Sequence, residues 1–143
     1  MKINDVLRGK GTDVVTISPD ATVRELLALL AEHNVGALVV SDDGTSVSGI
    51  VSERDIVRAL HRDADVLGSP VESIMTAQVH TVDTDMHIDD LMRLMTERRI
   101  RHVPVVVDGA LRGIVSIGDV VKTRIGELEF EREQLSKYIS SAG

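Results

Sequence analysis

The chain has 143 residues, with 16 Lys+Arg against 23 Asp+Glu, a formal net charge of −7, and no Cys or Trp. One domain's worth of core is affordable at this length, and it must be aliphatic, because the lone Phe130 and Tyr138 lie near the C-terminus. Disulfides and thiolate–metal sites are excluded, and an acidic chain with almost no rings lacks both the charge and the stacking surfaces of a nucleic-acid binder. No apolar run approaches the ~20 residues of a bilayer span, and Met1-Lys2-Ile3-Asn4-Asp5 does not lead into a signal-peptide core. The expectation is a cytoplasmic protein.

In chain order, Ile3 to Leu7 reads as a short helical lead and Val14-Val15-Thr16-Ile17 as a strand. Ser18-Pro19-Asp20 turns into a helix whose apolar stripe is Val23, Leu26, Leu27 and Leu30, opened by the capping box Thr22-x-x-Glu25. Two strands follow, Ala37 to Val40 and Val47 to Val51, with Asp43-Gly44 marking a hairpin turn. A second helix starts after Ser52, His61 to Ser69 is a linker, and Pro70 to Met75 is another helical lead. The pattern then repeats. Val79-His80-Thr81-Val82 is a strand, with His80 alternating out of it and partly buried. The stripe Ile88, Leu91, Met92 and Met95 is a helix with the weaker cap His87-x-x-Asp90. Val103 to Val107 and Leu111 to Val115 are strands joined at Asp108-Gly109, and a helix starts after Ser116. Thr16, Leu26, Glu32 and Val40 match Thr81, Leu91, Glu97 and Val105 at an offset of 65, which becomes 64 after one loop deletion, where Gly49-Ile50-Val51-Ser52 meets Gly113-Ile114-Val115-Ser116. Two copies of a β-α-β-β-α unit imply a duplication, packed about a pseudo-twofold axis. The expected division is 1–62 for the first repeat with its lead, 63–70 for the linker, 71–124 for the second repeat and 125–143 for a helical tail. From Asp119 to Ile139 the tail reads as one long helix, with Val121, Ile125, Leu128, Leu135 and Tyr138 along a seam. That seam either caps its own domain or forms a dimer contact; the repeat does not need it, which favours the dimer.

Ser52-Glu53-Arg54-Asp55 and Ser116-Ile117-Gly118-Asp119 stand where a strand gives way to a helix. A helix start favours anions, a Ser hydroxyl donates to phosphate, and an Asp carboxylate matches the two donors of a ribose diol. Ser-x-x-Asp is also a capping box, and one motif can serve both roles. Arg54 either reaches a phosphate or pairs with Glu53 or Asp55 in solvent. Arg98 and Arg99 read as solvated charges at a helix end that draw anions towards a cleft. His33, His61, His80, His87 and His102 show no metal-ligand spacing. Gly9-Lys10-Gly11-Thr12 fails the phosphate-loop spacing and reads as a flexible turn able to close over a cleft. The methionines are core filler, with Met75 a candidate border of a base pocket.

These stretches, with Asn34-Val35-Gly36-Ala37-Leu38-Val39-Val40 and Arg99-Ile100-Arg101-His102-Val103-Pro104-Val105, resemble a tandem pair of cystathionine-β-synthase (CBS) domains from about Ile3 to Lys122. The whole chain resembles the stand-alone CBS pairs of bacteria and plant organelles. The resemblance implies an α/β fold of two repeats plus a C-terminal helix. It also implies a regulatory module rather than an enzyme, binding AMP, ADP, ATP, NAD or S-adenosylmethionine, needing no other cofactor, assembling as a homodimer and signalling to a separate effector protein. By resemblance, one cleft joins Ser52, Arg54 and Asp55 to Arg101, His102, Val103 and Pro104, with Val79 and Thr81 nearby. The other joins Ser116 and Asp119 to Val35, Gly36, Ala37 and Leu38, with Val14, Val15 and Thr16 nearby. The first has basic groups where the second has Gly36 and Ala37, so phosphate is expected in the first. The rival expectation is a dimeric interaction scaffold with empty clefts.

Overall fold

The computed structural model describes residues 1–11 and 14–142; Thr12 of the Gly9–Thr12 turn lies outside them. The elements run α1 (Ile3–Lys10), β1 (Thr16–Ile17), α2 (Val23–His33), β2 (Ala37–Val40), β3 (Gly49–Ser52), α3 (Glu53–Arg62), two short 3-10 turns (Val66–Gly68 and Val71–Ser73), α4 (Ile88–Arg98), β4 (His102–Val107), β5 (Ala110–Ser116) and α5 (Ile117–Ala142). In the first repeat β1 pairs in parallel with β2, and β2 pairs antiparallel with β3 in the register Ala37↔Ser52. In the second, β4 and β5 pair antiparallel in the register His102↔Ser116. Thr22 closes the expected box on α2, its hydroxyl accepting from Glu25 N–H at 3.1 Å, and His87 makes no side-chain cap.

Three expectations are corrected. The strand expected over 79–82 shrinks to one parallel bridge, Val82↔Val105. Val82 N–H donates to Pro104 O at 3.1 Å and Val82 O accepts from Val106 N–H at 2.8 Å. The next rung would need an N–H from Pro104, and proline has none, so the ladder stops. His80 is accordingly exposed rather than partly buried. Asp108-Gly109 does make a two-residue turn with both φ positive, 51° and 78°. Asp43-Gly44, however, sits inside a longer loop over 41–48. There Asp43 Oδ1 accepts from Thr45 N–H, Ser46 N–H and Ser46 Oγ at 2.8 to 2.9 Å. The N–H groups of Ser46 and Thr45 and the Ser46 hydroxyl hold this carboxyl well below its usual range.

The core is two clusters, one per repeat, and each borrows the lead segment that precedes the other repeat. Val66 and Val71 join Val23, Leu26, Leu38 and Val51 in the first. Ile3 and Val6 join Ile88, Leu91, Val103 and Val115 in the second. Sequence order puts Ile3–Leu7 ahead of the first repeat; its side chains belong to the second. Backbone bonds follow suit in matched pairs. Ile3 N–H donates to Met86 O at 2.9 Å and Val71 N–H to Ala21 O at 2.7 Å; Asn4 N–H donates to Thr84 O and Glu72 N–H to Pro19 O. Lys2 bridges His87 and Pro70 bridges Thr22. This exchange is what a pseudo-twofold axis requires.

The leads cross the strands over glycine. A Cβ on Gly49 would stand 2.7 Å from Met75 Sδ and 2.8 Å from Thr76 O, and one on Gly113 would stand 2.7 Å from Leu7 Cδ2. Thr76 also exchanges both backbone bonds with Ile50 at 2.9 and 3.0 Å, so its carbonyl cannot retreat, whereas Leu7 can change rotamer. Gly49→Ala therefore destabilises by about 1–3 kcal/mol and Gly113→Ala by less, measured by urea denaturation of the two variants side by side.

Candidate functional site

The exchange sets the two strand-to-helix junctions against the opposite repeat. At the first, Ser52 N–H and Oγ donate to Asp55 Oδ2 at 2.8 and 3.1 Å, and Asp55 N–H donates to Ser52 Oγ at 3.4 Å. At the second, Ser116 N–H donates to Asp119 Oδ2 at 2.9 Å and Asp119 N–H to Ser116 Oγ at 3.1 Å. Both motifs are thus capping boxes. Glu53 N–H is taken by Gly36 O at 3.0 Å and Ile117 N–H by Arg101 O at 2.8 Å. With those first-turn donors committed, anion binding falls to side chains more than to the helix ends.

A cleft of about 230 Å³ lies at the first junction. Ser52, Glu53, Arg54 and Asp55 face Arg99, Ile100, Arg101 and His102 across it, with Gly36, Ala37, Ile50 and Thr76 completing the wall. Ser52, Arg54, Asp55, Arg101 and His102 of the first expected group stand together around it. Val79, Thr81, Val103 and Pro104 do not line it: the shortened strand leaves Thr81 exposed, and Val103 points into the second core with no exposure. Arg99, read as a solvated charge, lines the cleft. It holds the left-handed α4 C-cap at φ 54°, as Asn34 does at φ 51° after α2. Asn takes that conformation readily, and Arg does so at a cost of about 1 kcal/mol. Gly36, expected at the other cleft, faces this one, and a Cβ there would lie 3.5 Å from the His102 ring.

The second junction is arranged differently. Leu7, Lys10, Val14, Val15, Val35, Ala37, Leu38, Gly113 and Ile114 are among the residues around an aliphatic cleft of about 310 Å³. Thr16 and Gly36 are not among its walls, and neither are Ser116 and Asp119. Asp119 instead borders a cavity of about 520 Å³ between α1 and α5, together with Val6, Thr123, Glu127 and Phe130. Lys10 lines both spaces. Its Nζ donates to Asp119 Oδ2 and to Ile114 O, each at 2.7 Å. Burial pushes the Asp119 carboxyl up, but the bonds from Lys10 and from Ser116 outweigh it and hold it below its ordinary value. Lys10 was legible only as part of a turn able to close over a cleft; its partner 109 residues away was not.

Among the described residues no cluster of three His, Asp or Glu is placed to hold a metal, and no described helix is long and apolar enough to cross a membrane. Burial lowers the His102 pKa below 6.5, helped by the positive charge of Lys10 and, less, of Arg101. In an NMR titration its Hε1 resonance is expected to move with a midpoint below 6.5. The unfolded chain takes up that proton first, so the contribution of His102 to stability is complete above about pH 6.5 and is lost as pH falls towards the folded midpoint.

The family model described as CBS domain matches residues 5–62 and 71–126. The chain is 36% identical to the mitochondrial CBS domain-containing protein CBSX3 of Arabidopsis thaliana, over 96% of this chain and 71% of that protein. The crystal structure of the CBS-domain protein ATU1752 from Agrobacterium tumefaciens superposes with a TM-score of 0.83 at 43% identity, covering 87% of this chain and 99% of that one. The CBS domain pair of protein MJ0100, solved with 5′-methylthioadenosine and S-adenosyl-L-methionine, gives a TM-score of 0.79 at 27% identity, over 89% and 98% of the two chains.

Proposed function

The chain belongs to the CBS-domain family, and on that premise we propose that it is a regulatory module whose Asp55 cleft binds an adenine nucleotide. The observation that carries this reading is the meeting of two carboxylates, Glu53 and Asp55, with three guanidiniums, Arg54, Arg99 and Arg101, in a cleft shared by the two repeats. Every hydrogen bond that Asp55 makes among the described residues through its carboxylate falls on Oδ2, so Oδ1 is available to accept from a ribose diol. The base lies against Ile50, Ile100 and Ala37 and takes its hydrogen bonds from backbone. The phosphate meets Arg101 and Arg99, with Arg54 at the helix start; their exposure keeps these bonds strong enough to select an anion and weak enough to release it. AMP, ADP, ATP and NAD all carry the required ribose and phosphate. The ligands of the MJ0100 pair, which carry adenosine and no phosphate, support the base and ribose part of this reading.

Binding joins groups from both repeats and so tightens one against the other. The output is a change in a surface read by a separate effector protein, and no catalytic step is assigned to the chain. The surface is the face of α3 and α5, where Val57 is 66% exposed and its repeat counterpart Val121 is 45% exposed. Leu60, Ile125 and Leu128 are exposed on the same two helices, and a homodimer about a twofold axis would cover these apolar side chains. The tail of α5 carries the exposed Phe130 and Tyr138 beyond them.

Calorimetric titration with AMP, ATP and NAD tests the reading. Asp55→Ala and Arg101→Ala are each expected to weaken AMP at least about tenfold, as loss of a charge-assisted bond requires, and to reduce its thermal stabilisation of the fold accordingly. Unchanged affinity in Asp55→Ala would remove the ribose role. Sedimentation of Val57→Asp checks this surface, with monomer as the expected result.

A further inference from the structure

The two junctions would be equivalent by the pseudo-twofold, yet among the described residues the Asp55 carboxylate bonds only within its own capping box and the Asp119 carboxylate also holds a lysine ammonium. The lead segments explain why. Lys2, Ile3 and Leu7 correspond to Pro70, Val71 and Met75 at an offset of 68, which places Gln78 opposite Lys10. The lead beside the Asp55 cleft therefore ends on a neutral, exposed side chain, and the lead beside Asp119 ends on an ammonium. That ammonium is held at both ends of its reach, by Asp119 Oδ2 and by Ile114 O. The pair is partly buried, with side-chain exposures of 35% and 22%. Lys10 lines the aliphatic cleft built from Val14, Val15, Val35 and Leu38 and also the cavity that Asp119 borders.

Resting on the nucleotide reading above, we infer that Lys10 is an intramolecular lock on the second cleft: its ammonium occupies the place at Asp119 that a ribose diol would take, so the chain binds one nucleotide tightly and a second only where that ion pair is displaced. The aliphatic cleft is wide enough for a base, and among the described residues its walls carry no acidic side chain. A nucleoside base that enters it finds an ammonium already bonded to the carboxylate that would take the sugar. Because Lys10 terminates α1, and α1 is packed into the second core through Ile3 and Val6, displacing it also loosens the end of the lead helix. Occupancy of the second cleft is thereby coupled to the lead exchange that joins the repeats.

The sign of the test is discriminating. AMP is an anion, so removing a cation that served as a phosphate contact would weaken binding, whereas removing a lock strengthens it. Calorimetric titration of AMP into the full chain is expected to give one strong equivalent, with any second at least about tenfold weaker, the size of one charge-assisted contact. In Lys10→Met the second equivalent tightens at least about tenfold, and it disappears again in Lys10→Met/Asp119→Asn. Lys122→Met, which removes a neighbouring positive charge that bonds neither group, leaves the wild-type pattern. Two equal wild-type equivalents, or a Lys10→Met chain whose second equivalent is unchanged or weaker, would overturn the lock and leave the Asp55 reading standing. Absence of heat in wild type and every variant would overturn the nucleotide reading and the lock with it.

Discussion

Each repeat is completed by the segment that leads into the other, and the remaining geometry follows from that exchange. Ile3 and Val71 are fully buried in cores to which the rest of their own repeat does not contribute. The crossing is close enough that Gly49 and Gly113 are the residues the leads pass over. A side chain there would lift the lead, and with it the hydrogen bonds to Ala21 and Met86 that fix its direction. Burial of the leads supplies the apolar stabilisation that two five-element repeats, without an aromatic ring in either, would otherwise lack. It also holds the repeats face to face, which brings Ser52 and Asp55 within one cleft of Arg99 and Arg101.

A symmetric frame with unequal side chains gives unequal sites. Gly36 and Arg101 occupy equivalent places, as do Asn34 and Arg99, and the second of each pair brings a guanidinium to the first cleft. His102 packs beside Gly36, where even a Cβ would only touch its ring at 3.5 Å. It stays neutral near pH 7 because burial and the nearby cations oppose its protonation. The opposite cleft received aliphatic walls and the Lys10–Asp119 pair. Without aromatic rings in the repeats, a base would have only aliphatic contact and backbone bonds to recognise it, so on the proposed reading charge at the phosphate and sugar decides which cleft is used.

Much of this was legible because the duplication is local in sequence. Helix stripes such as Val23-Leu26-Leu30 and Ile88-Leu91-Met95 carry their own period, and the Ser-x-x-Asp boxes carry their own spacing, so elements and junctions could be placed. What escaped depends on contacts across the chain. The leads repeat at 68 rather than 65, with conservative but unlike residues, and nothing local says that Ile3 belongs with Ile88. The loss of the 79–82 strand was carried by a single residue, Pro104, on the partner strand. Asp43 shared its Asp-Gly signature with Asp108, but the longer loop let its carboxylate organise an Asx turn instead of a two-residue hairpin. Arg99 was legible as a solvated charge at a helix end and is exposed there, but its place on the wall of the first cleft, at the left-handed cap of α4, shows only once the repeats are packed.

The central claim is that one pseudo-symmetric frame offers an open nucleotide cleft at Asp55 and a closed one at Asp119. A crystal structure of the chain grown with AMP at a modest excess tests it most directly. The account predicts one nucleotide per chain, its ribose on Asp55 and its phosphate on Arg101 and Arg99, with Lys10 still bonded to Asp119. A nucleotide seated on Asp119 while the Asp55 cleft stands empty would contradict it.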